Sequence, residues 1–286
     1  MAGRELTSLR SPRVKAARRL AKRAFRRREG RFLAEGPQAV REALLIPGGL
    51  AELFTTAEAE ARHPELVLAA EQAGAPVLRV SGEVMAELAQ TVTPQGLLAV
   101  CGFLDVPLGA ALESGPELVT VLAHVRDPGN AGTVLRTADA AGSEAVVFTD
   151  ASVDPYNGKC VRASAGSLFH LPVVVGPRFD TLIPELRGAG LTVLAADGAG
   201  ERTLDECIDD GLLARPTAWV FGNEAWGLPE EILRHVDEVV RVPIHGRAES
   251  LNLATAAAVC LYASARAQRA RRAQEAQGAQ GASSRT

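Results

Sequence analysis

Five polar side chains in the second half of the sequence fall in three short loops whose residue types could together carry out chemistry. They are Asn130, Arg136, Glu224, Ser250 and Asn252. Amides, a hydroxyl, a carboxylate and a guanidinium hold a substrate by directed hydrogen bonds and stabilise developing negative charge. The set contains no obvious general base, since an arginine side chain stays protonated in proteins. These residues therefore indicate a site that positions a substrate and stabilises charge.

An ordinary structural role also fits part of this set. Ser250 and Asn252 flank Leu251 where a helix is expected to begin, and such residues cap helices by accepting hydrogen bonds from free backbone N–H groups. Two further glycine-bearing polar loops, at 127–132 and 222–229, favour one site built by three converging loops. Cap and site stay open as alternatives for Ser250 and Asn252 at this point.

Strands that alternate with helices are expected to position these loops. The second half contains short apolar runs typical of buried parallel strands, at 118–124, 145–149, 192–196, 217–221 and 239–243. Helical segments separate them, and this alternation predicts an α/β fold whose mostly parallel sheet has helices on both faces. Loops at the carboxyl ends of such strands are the usual places for a ligand.

Two domains and a tail are predicted along the chain. Residues 1–105 are expected to form a smaller α/β domain with a basic N-terminal helix, followed by a Pro- and Gly-containing linker at 106–117. Residues 118–267 are expected to form the larger domain. The expected elements include helices at 14–28, 57–74, 133–141 and 179–188 and a strand at 50–55. Residues 268–286 are rich in Ala, Gln and Arg without an apolar period, which predicts disorder.

Several classes of function lack sequence support. The first strand of the larger domain is not followed by GxGxxG, and no P-loop pattern is present, so the usual dinucleotide and nucleoside triphosphate sites are not expected. The five histidines show no metal-binding spacing, and no metal site is predicted. The four widely spaced cysteines indicate reduced thiols in a cytosol. No apolar run is long enough to span a bilayer, and no secretion signal is expected.

Charge is distributed very unevenly along the chain. Residues 1–31 hold 12 Lys and Arg against 2 Glu, whereas the remainder holds 19 basic and 32 acidic residues. Like charges at this density repel one another unless a polyanion neutralises them, which favours contact with a nucleic-acid backbone over a merely solvated basic helix. With only 4% aromatic residues, binding is expected to depend more on charge and backbone than on base stacking.

Three segments of the sequence carry a resemblance to a known family. They are PGNAGTVLRTADAAG at 128–142, VFGNEAWGLPEE at 220–231 and RVPIHGRAESLNLATAAAVCLY at 241–262. In their order and spacing they resemble the three motifs of the SpoU, or TrmH, family of the SPOUT superfamily, whose members are S-adenosylmethionine-dependent RNA ribose 2′-O-methyltransferases. Residues 1–105 are similar to the ribosomal-protein-like substrate-binding domain that precedes the catalytic domain in many members.

The resemblance implies a fold, a cofactor and an assembly. The C-terminal part of the sheet is expected to form a trefoil knot, which composition and periodicity alone do not indicate. S-adenosyl-L-methionine is expected at Gly222, Val242 and Leu251, with added contacts from the loop 195–198. Gly222 suits such a position because backbone approaches a flat ring most closely where no Cβ intervenes. The family works as a homodimer whose sites borrow residues from the partner chain.

The resemblance also suggests roles for the polar set. Arg136 matches the catalytic arginine, for which we favour stabilisation of a developing alkoxide or of the adjacent phosphate, with the proton leaving through phosphate or water. Asn130 and Asn252 are expected to orient Arg136 and the ribose, and Ser250 to hydrogen-bond one of them. Glu224 is expected to anchor its loop or to pair with an arginine.

Two questions stay open at the level of sequence. Ribosomal RNA is the expected substrate because of the N-terminal domain, while transfer RNA is the competing substrate in the same class. A non-enzymatic RNA-binding protein that kept the fold is the alternative from a different class, disfavoured because all the motif residues are present. His245 lies in the third motif at a position that is not catalytic in the family pattern, and it is interpreted as a loop residue.

Overall fold

A computed structural model describes residues 5–89, 91–223 and 225–283 of the chain. The chain divides into two compact units: unit 1 comprises residues 1–104 and 154–170, and unit 2 comprises residues 105–153 and 171–286. The segment 154–170 therefore belongs to unit 1 although unit 2 surrounds it in the sequence.

Strands and helices alternate through most of the described chain. The strands are β1 (Arg31–Glu35), β2 (Leu50–Thr55), β3 (Val77–Arg79), β4 (Leu97–Gly102), β5 (Leu118–Leu122), β6 (Ala145–Phe148), β7 (Val173–Val175), β8 (Thr192–Ala196), β9 (Arg202–Thr203), β10 (Thr217–Phe221) and β11 (Glu238–Arg241). The α-helices are α1 (Pro12–Arg19), α2 (Arg23–Glu29), α3 (Pro37–Leu45), α4 (Ala57–Arg62), α5 (Pro64–Gln72), α6 (Gly82–Ala89), α7 (Leu108–Leu112), α8 (Pro128–Ala141), α9 (Gly158–Ser164), α10 (Phe179–Gly188), α11 (Leu204–Asp209), α12 (Glu230–Leu233) and α13 (Leu253–Ser283). Short 3₁₀ turns lie at Ser167–Phe169 and Leu212–Ala214.

Unit 1 is built on a four-stranded mixed sheet in the order β1-β4-β2-β3. The β1–β4 and β4–β2 pairs are antiparallel, and β2–β3 is parallel. Helices α1 and α6 bury apolar residues against the sheet, with Val14, Phe54 and Met85 in one hydrophobic cluster. Burial of this kind contributes about 25 cal/mol per Å² of apolar surface, so the basic helix α1 is held by its narrow apolar stripe.

Unit 2 is built on a seven-stranded parallel sheet in the order β7-β6-β5-β10-β8-β11-β9. One face packs under α7, α10 and α12, where Val121, Val193 and Val220 share a cluster with Leu182. Helix α13 packs against β5, β8 and β10, and α8 packs against α13. Residues of a strand alternate between the two faces, so each strand can bury side chains on both. The α/β prediction with a mostly parallel sheet and helices on both faces is confirmed. The trefoil knot stays a prediction of the resemblance.

Helix α13 is fastened to the sheet by buried polar contacts as well as apolar ones. The indole N–H of Trp219 donates to Ser264 Oγ at 2.8 Å, and both side chains are fully buried. Gln268 Nε2 donates to the backbone carbonyls of Glu117 and Arg215 at 2.8 and 2.9 Å. The tail was predicted to be disordered from residue 268, but the helix continues through Ser283, and Gln268 is 1% exposed.

Several helix boundaries in the structure differ from those predicted from the sequence. The single basic helix predicted from Val14 to Arg28 is two helices, broken at residues 20–22. Pro64 opens a new helix where one helix had been predicted from Ala57 to Gly74, since a proline ring disrupts the turn before it. Strand β1 was not predicted. No helix in the described ranges is both long enough and apolar enough to cross a membrane.

Candidate active site

Three loops of unit 2 surround a pocket of about 350 Å³ at the carboxyl ends of β8, β10 and β11. The parallel direction of these strands brings their loops to the same edge of the sheet. The pocket is lined by residues 196–198, 222–223, 225–227 and 249–251, together with Val240, Val242, Ile244, Leu253 and Ala256. A concave site of this volume accommodates a small organic ligand.

The three residues expected to hold a cofactor all line this pocket. Gly222 follows β10, Val242 follows β11, and Leu251 lies in the loop before α13. Ser250 lines the pocket beside Leu251, and residues 196–198 of the expected 195–198 loop form another wall. The structure thus collects these predicted residues from three loops into one place.

The two asparagines of the polar set are in direct contact. Asn252 Nδ2 donates to Asn130 Oδ1 at 3.2 Å across 122 residues of sequence. Asn252 Oδ1 also accepts from the backbone N–H of Ala254 at 2.9 Å, at the first turn of α13. Asn252 is therefore both a helix cap and a partner of Asn130, so its role as a cap does not exclude the site role, which stays a prediction.

Helix α8 begins earlier than the sequence predicted. Residues 127–132 were expected to be a loop, with the helix starting at Thr133, but α8 starts at Pro128 and Asn130 lies in its first turn. Asp127 caps the helix by accepting from the N–H of Asn130 at 2.8 Å, and proline at the first helical position loses no hydrogen bond. The cap fixes the backbone from which the Asn130 side chain reaches Asn252.

The other polar residues lie in different surroundings. Arg136 is an exposed residue of α8, about 9 Å along the helix axis from Asn130, and it does not line the pocket of its own chain. His245 is exposed in the loop after β11 and is not among the residues lining the pocket. Glu224 lies outside the described residues.

A buried asparagine, Asn223, joins two of the loops. From the sequence it is interpreted only as a variant within a loop that varies across the family and bears on substrate identity. Asn223 Nδ2 donates to the carbonyl of His124 at 3.0 Å, and its Oδ1 accepts from Ala225 N at 2.8 Å. His124 follows β5 with φ of 59°, a left-handed conformation that costs energy for a residue with a Cβ. Asn223 thereby holds the strained turn that leads into α8.

Asp197 fastens the second loop to the first. Its Oδ2 accepts from Leu228 N at 3.2 Å, and its Oδ1 accepts from Ala199 N at 2.9 Å. Like Asn223 and Asn252, it accepts a hydrogen bond from the backbone N–H two residues later, which is the short-range signal that would have identified these residues in the sequence. A polar residue of this type therefore shapes each of the three loops.

Close packing of the backbone requires a glycine at 222. A Cβ there would lie 2.5 Å from the carbonyl oxygen of Gly227 and 2.7 Å from Leu228 Cγ. Gly227 has φ of 68°, and a Cβ on it would lie 2.6 Å from Asp197 Oδ2. Packing is thus a second reason for a glycine at 222; the residue also lines the pocket, and its approach to a flat ring stays a prediction.

The site's resources are amides, hydroxyls and backbone groups. Among residues 5–89, 91–223 and 225–283, no group of three or more His, Cys, Asp or Glu side chains is arranged to hold a metal ion. Burial raises the pKa of the Cys260 thiol on α13 to about 12, so this thiol stays neutral at physiological pH. Binding, orientation and charge stabilisation are the functions that such groups perform.

Comparison with known proteins places this geometry among RNA-modifying enzymes. Residues 117–262 match the SpoU rRNA Methylase family, and residues 11–99 match the MRM3-like substrate binding domain. The chain is 33% identical over 262 residues to the 23S rRNA (guanosine(2553)-2′-O)-methyltransferase RlmP of Bacillus subtilis, covering 91% of this chain and 98% of that protein.

Solved structures agree with the sequence matches. A crystal structure of an AdoMet-bound rRNA methyltransferase from Sinorhizobium meliloti superposes with a TM-score of 0.78 at 31% identity, covering 92% of this chain and 97% of that one. The SpoU methyltransferase AviRb from Streptomyces viridochromogenes, in complex with AdoMet, gives a TM-score of 0.76 at 26% identity, with 91% and 100% covered.

Proposed function

We propose that this chain, which belongs to the SpoU rRNA Methylase family, transfers a methyl group from S-adenosyl-L-methionine to a ribose 2′-hydroxyl of ribosomal RNA. The observation that carries the proposal is the pocket in which Gly222, Val242 and Leu251 come together beside the Asn130–Asn252 pair. That pocket lies inside the segment matched to the family.

The pocket fits the cofactor in size and in the character of its walls. When bound, S-adenosyl-L-methionine supplies an electrophilic methyl group on a sulfonium. Gly222, Val242, Leu251 and the loop at 196–198 would hold it, mostly through backbone, and the exposed carboxylate of Glu249 lines the same pocket. The relatives from S. meliloti and S. viridochromogenes were solved with AdoMet bound, which supports the same cofactor here.

The polar residues act on the ribose and its developing charge. Asn130 and Asn252 hold one another through their amides and present a fixed pair of donors and acceptors near the pocket. Arg136 stabilises the alkoxide that forms as the 2′-hydroxyl loses its proton, or the phosphate beside it. Ser250 hydrogen-bonds the substrate or one of the asparagines. Glu224 anchors its loop or pairs with an arginine, as proposed from the family motif.

Ribosomal RNA is the proposed substrate, in preference to transfer RNA. The names of two relatives specify ribose methylation of 23S rRNA: RlmP of B. subtilis, and RlmB of Bordetella pertussis at 32% identity. Residues 11–99 match a substrate-binding domain, and this part of the chain carries the basic helices α1 and α2. Neutralisation of phosphate by these helices supplies affinity without regard to sequence. A substrate of this kind also supports a cytoplasmic location.

A homodimer completes the proposed site. Arg136 lies outside the pocket of its own chain and is exposed, which is the placement expected of a residue that serves a partner's site. One side of helix α13 packs within the chain, since Ala257, Cys260, Leu261 and Ser264 are buried. Val259 and Tyr262 on the same helix are 38% and 50% exposed and are available to a second copy. A single monomeric species in sedimentation at micromolar concentration would contradict this.

Calorimetry with the cofactor alone tests the proposed activity against a non-enzymatic RNA-binding protein. Titration of S-adenosyl-L-methionine into the full chain is expected to give one saturable site per chain. S-Adenosyl-L-homocysteine, the product form, is expected to compete for the same site. Absence of binding heat up to millimolar ligand, from protein that shows a cooperative unfolding transition, would exclude a methyl donor site and favour the non-enzymatic protein.

A further inference from the structure

A second pocket, of about 150 Å³, lies entirely within unit 1. Its walls come from the end of α1, from β1, α6 and β4, and from the segment before and within α9. The apolar part consists of Leu20, Ala21, Leu33, Leu88, Ala89 and Leu98. The polar part consists of Glu35, Tyr156, Asn157, Lys159 and Arg162. None of the roles described above uses this pocket.

A nearly buried carboxylate lines the pocket. The Glu35 side chain is 5% exposed; its Oε1 accepts from Thr91 Oγ1 at 3.0 Å, and its Oε2 is 3.3 Å from Arg162 Nη1. A carboxylate has about four lone-pair sites, so these two contacts leave acceptor capacity on Glu35. Glu35 therefore has one partner on each oxygen, as buried polar groups normally do, and its remaining lone pairs can accept a further hydrogen bond from a ligand in the pocket.

The wall opposite β1 is held rigidly. Arg26 is 3% exposed, and its Nε and Nη2 donate to Asp154 Oδ2 at 3.0 and 2.6 Å. Tyr156 stacks on Phe103 with ring centroids 4.1 Å apart, and its hydroxyl accepts from Leu104 N at 2.7 Å. These contacts fix the segment that carries Asn157, Lys159 and Arg162, so the pocket is preformed and a ligand need not order it.

Size and polarity together define the ligand. A cavity of 150 Å³ is known to admit benzene, so one six-membered ring fits this pocket. Its polar edge offers an acceptor on Glu35 beside a donor on Arg162. A pyrimidine base presents the complement: cytosine carries an amino donor next to a ring-nitrogen acceptor, and uracil carries a ring N–H donor next to carbonyl acceptors. In both bases the carboxylate of Glu35 can accept from the donor while Arg162 donates to the neighbouring acceptor.

We propose that this pocket binds the base of one unpaired pyrimidine nucleotide of the RNA substrate, with Glu35 and Arg162 reading its polar edge. Lys159 lines the pocket, and Lys22 and Arg23 directly follow Ala21, which also lines it. All three cations are exposed, and the phosphate backbone would lie along them. This inference rests on the proposed function only in taking RNA as the ligand. It adds a sequence-reading site in unit 1, separate from the methyl-transfer pocket in unit 2.

Short homopolymers of equal charge isolate the reading of the base. Fluorescein-labelled r(C)₄, r(U)₄ and r(A)₄ are titrated with the full chain by anisotropy at one salt concentration, so that phosphate contacts contribute equally. The wild-type chain is expected to bind the pyrimidine tetramers about tenfold more tightly than r(A)₄. Ala21→Leu fills the pocket and is expected to abolish this preference, whereas Ala16→Leu, on the exposed side of α1, keeps it.

Arg162→Gln provides a second variant, because Arg162 is partly exposed and its loss spares the apolar core. It is expected to reduce the pyrimidine preference. Because it also removes the charge partner of the nearly buried Glu35, it should lower thermal stability, so binding is measured at a temperature below its unfolding transition. Equal affinity of the wild-type chain for all three tetramers, or an unchanged preference in Ala21→Leu, would overturn the proposal. Calorimetry with S-adenosyl-L-methionine on the same preparations separates the methyl-transfer proposal from the base-pocket proposal. Absence of cofactor binding would contradict the methyl-transfer site, whereas the tetramer affinities would still test the base pocket.

Discussion

Several single residues hold the loops of the candidate site in place, and one of them, Asn252, is also proposed to act on the substrate. Asn252 caps α13 through its Oδ1 and bonds Asn130 through its Nδ2. Asn223 and Asp197 are structural in their contacts, yet the loops they shape carry the pocket's walls. Removing either side chain would leave partly buried backbone groups without these partners, which costs at most about 1–3 kcal/mol per group. Site residues of this kind cannot be assigned to cap or catalyst by residue type alone.

Trp226 is expected to report ligand binding directly. It lines the pocket and is 58% exposed, whereas Trp219, the second of the two tryptophans, is fully buried. Saturation with S-adenosyl-L-methionine should therefore change the intrinsic fluorescence and protect it from acrylamide. In Trp226→Phe the ligand-dependent change should disappear, while the buried Trp219 continues to emit. A full ligand-dependent change in Trp226→Phe would place the ligand away from this loop.

The candidate site depends on close packing between two loops, one after β8 and one after β10. Gly222 packs on Gly227, and Gly227 packs on Asp197, with no space for a Cβ at either glycine. Inserting atoms into such a contact typically costs about 1–3 kcal/mol. The glycine-bearing loops could be recognised in the sequence. Which glycine lies against backbone and which faces open space depends on the fold and could not be predicted.

Two glycines of the pocket are expected to respond differently to alanine. In Gly222→Ala the added Cβ meets the carbonyl of Gly227, so the free energy of unfolding should fall by about 1–3 kcal/mol. Gly198 lines the same pocket with no atom within 4 Å of an added Cβ. Urea unfolding without ligand should therefore leave Gly198→Ala near the wild-type stability. Equal losses in both variants would contradict the packing described for Gly222.

The basic helices α1 and α2 combine two roles that the sequence did not separate. Arg26 is buried against Asp154, and Arg13 and Arg18 pair with Glu52 and Glu87. Lys22, Arg23 and Arg27 are exposed. Deleting the whole segment would also remove the buried residues Val14 and Leu20, so selected charges are the sharper test.

Neutralising exposed charges on these helices is expected to weaken RNA binding in a salt-dependent way. The triple variant Lys22→Gln, Arg23→Gln and Arg27→Gln should lower the log–log salt slope by up to about two, since each phosphate contact contributes about 0.7–0.9. A matched triple variant at Arg178, Arg187 and Arg234, exposed cations of unit 2 that pair with carboxylates, serves as the control. Coincident slopes for the two triple variants would mean that α1 and α2 do not contact RNA.

Local patterns in the sequence predicted elements well and long-range partners poorly. Strands β2, β8 and β10 and helix α10 were predicted at the bounds observed, because apolar runs between turn residues mark them. The start of α8 was misplaced because proline and glycine suggested a loop where an aspartate cap begins a helix. The convergence of the loops at the pocket could be predicted, because the carboxyl ends of parallel strands lie at one edge of the sheet. The hydrogen bond from Asn223 to His124 could not, because the two residues are 99 positions apart and no local pattern marks them as partners.

The division of the molecule into units follows from contacts distant in sequence. The segment 154–170 lies within residues predicted to form the larger domain, but Arg26–Asp154 and Glu35–Arg162 contacts join it to unit 1 across more than 120 residues. No spacing rule predicts such partners.

Each unit also buries two cysteines: Cys101 and Cys160 in unit 1, and Cys207 and Cys260 in unit 2.

Buried thiols give the molecule a predictable response to alkaline pH. Burial raises the pKa of Cys101 to about 12, above the value of about 8.5 for an unfolded thiol. The folded state therefore holds this proton more tightly, so the stabilisation is complete below pH 8.5 and is lost as pH rises toward 12. The stability difference between wild type and Cys101→Ala, measured by urea unfolding, should shrink from pH 8 to pH 10.5. A constant difference would mean that Cys101 does not titrate with a raised pKa.

Methyl transfer to ribosomal RNA is the most direct test of the central claim. The full chain is incubated with unmethylated ribosomal RNA or with transfer RNA, together with methyl-labelled S-adenosyl-L-methionine, and the labelled nucleotide is mapped by alkaline hydrolysis. Label is expected in ribosomal RNA at a ribose 2′-oxygen, where the adjacent phosphodiester resists hydrolysis. Arg136→Ala should lose nearly all transfer with cofactor affinity within a few-fold, while Arg187→Ala, paired with Asp237 at the opposite edge of the sheet, retains it. Label on a base, or wild-type turnover in Arg136→Ala, would contradict the account.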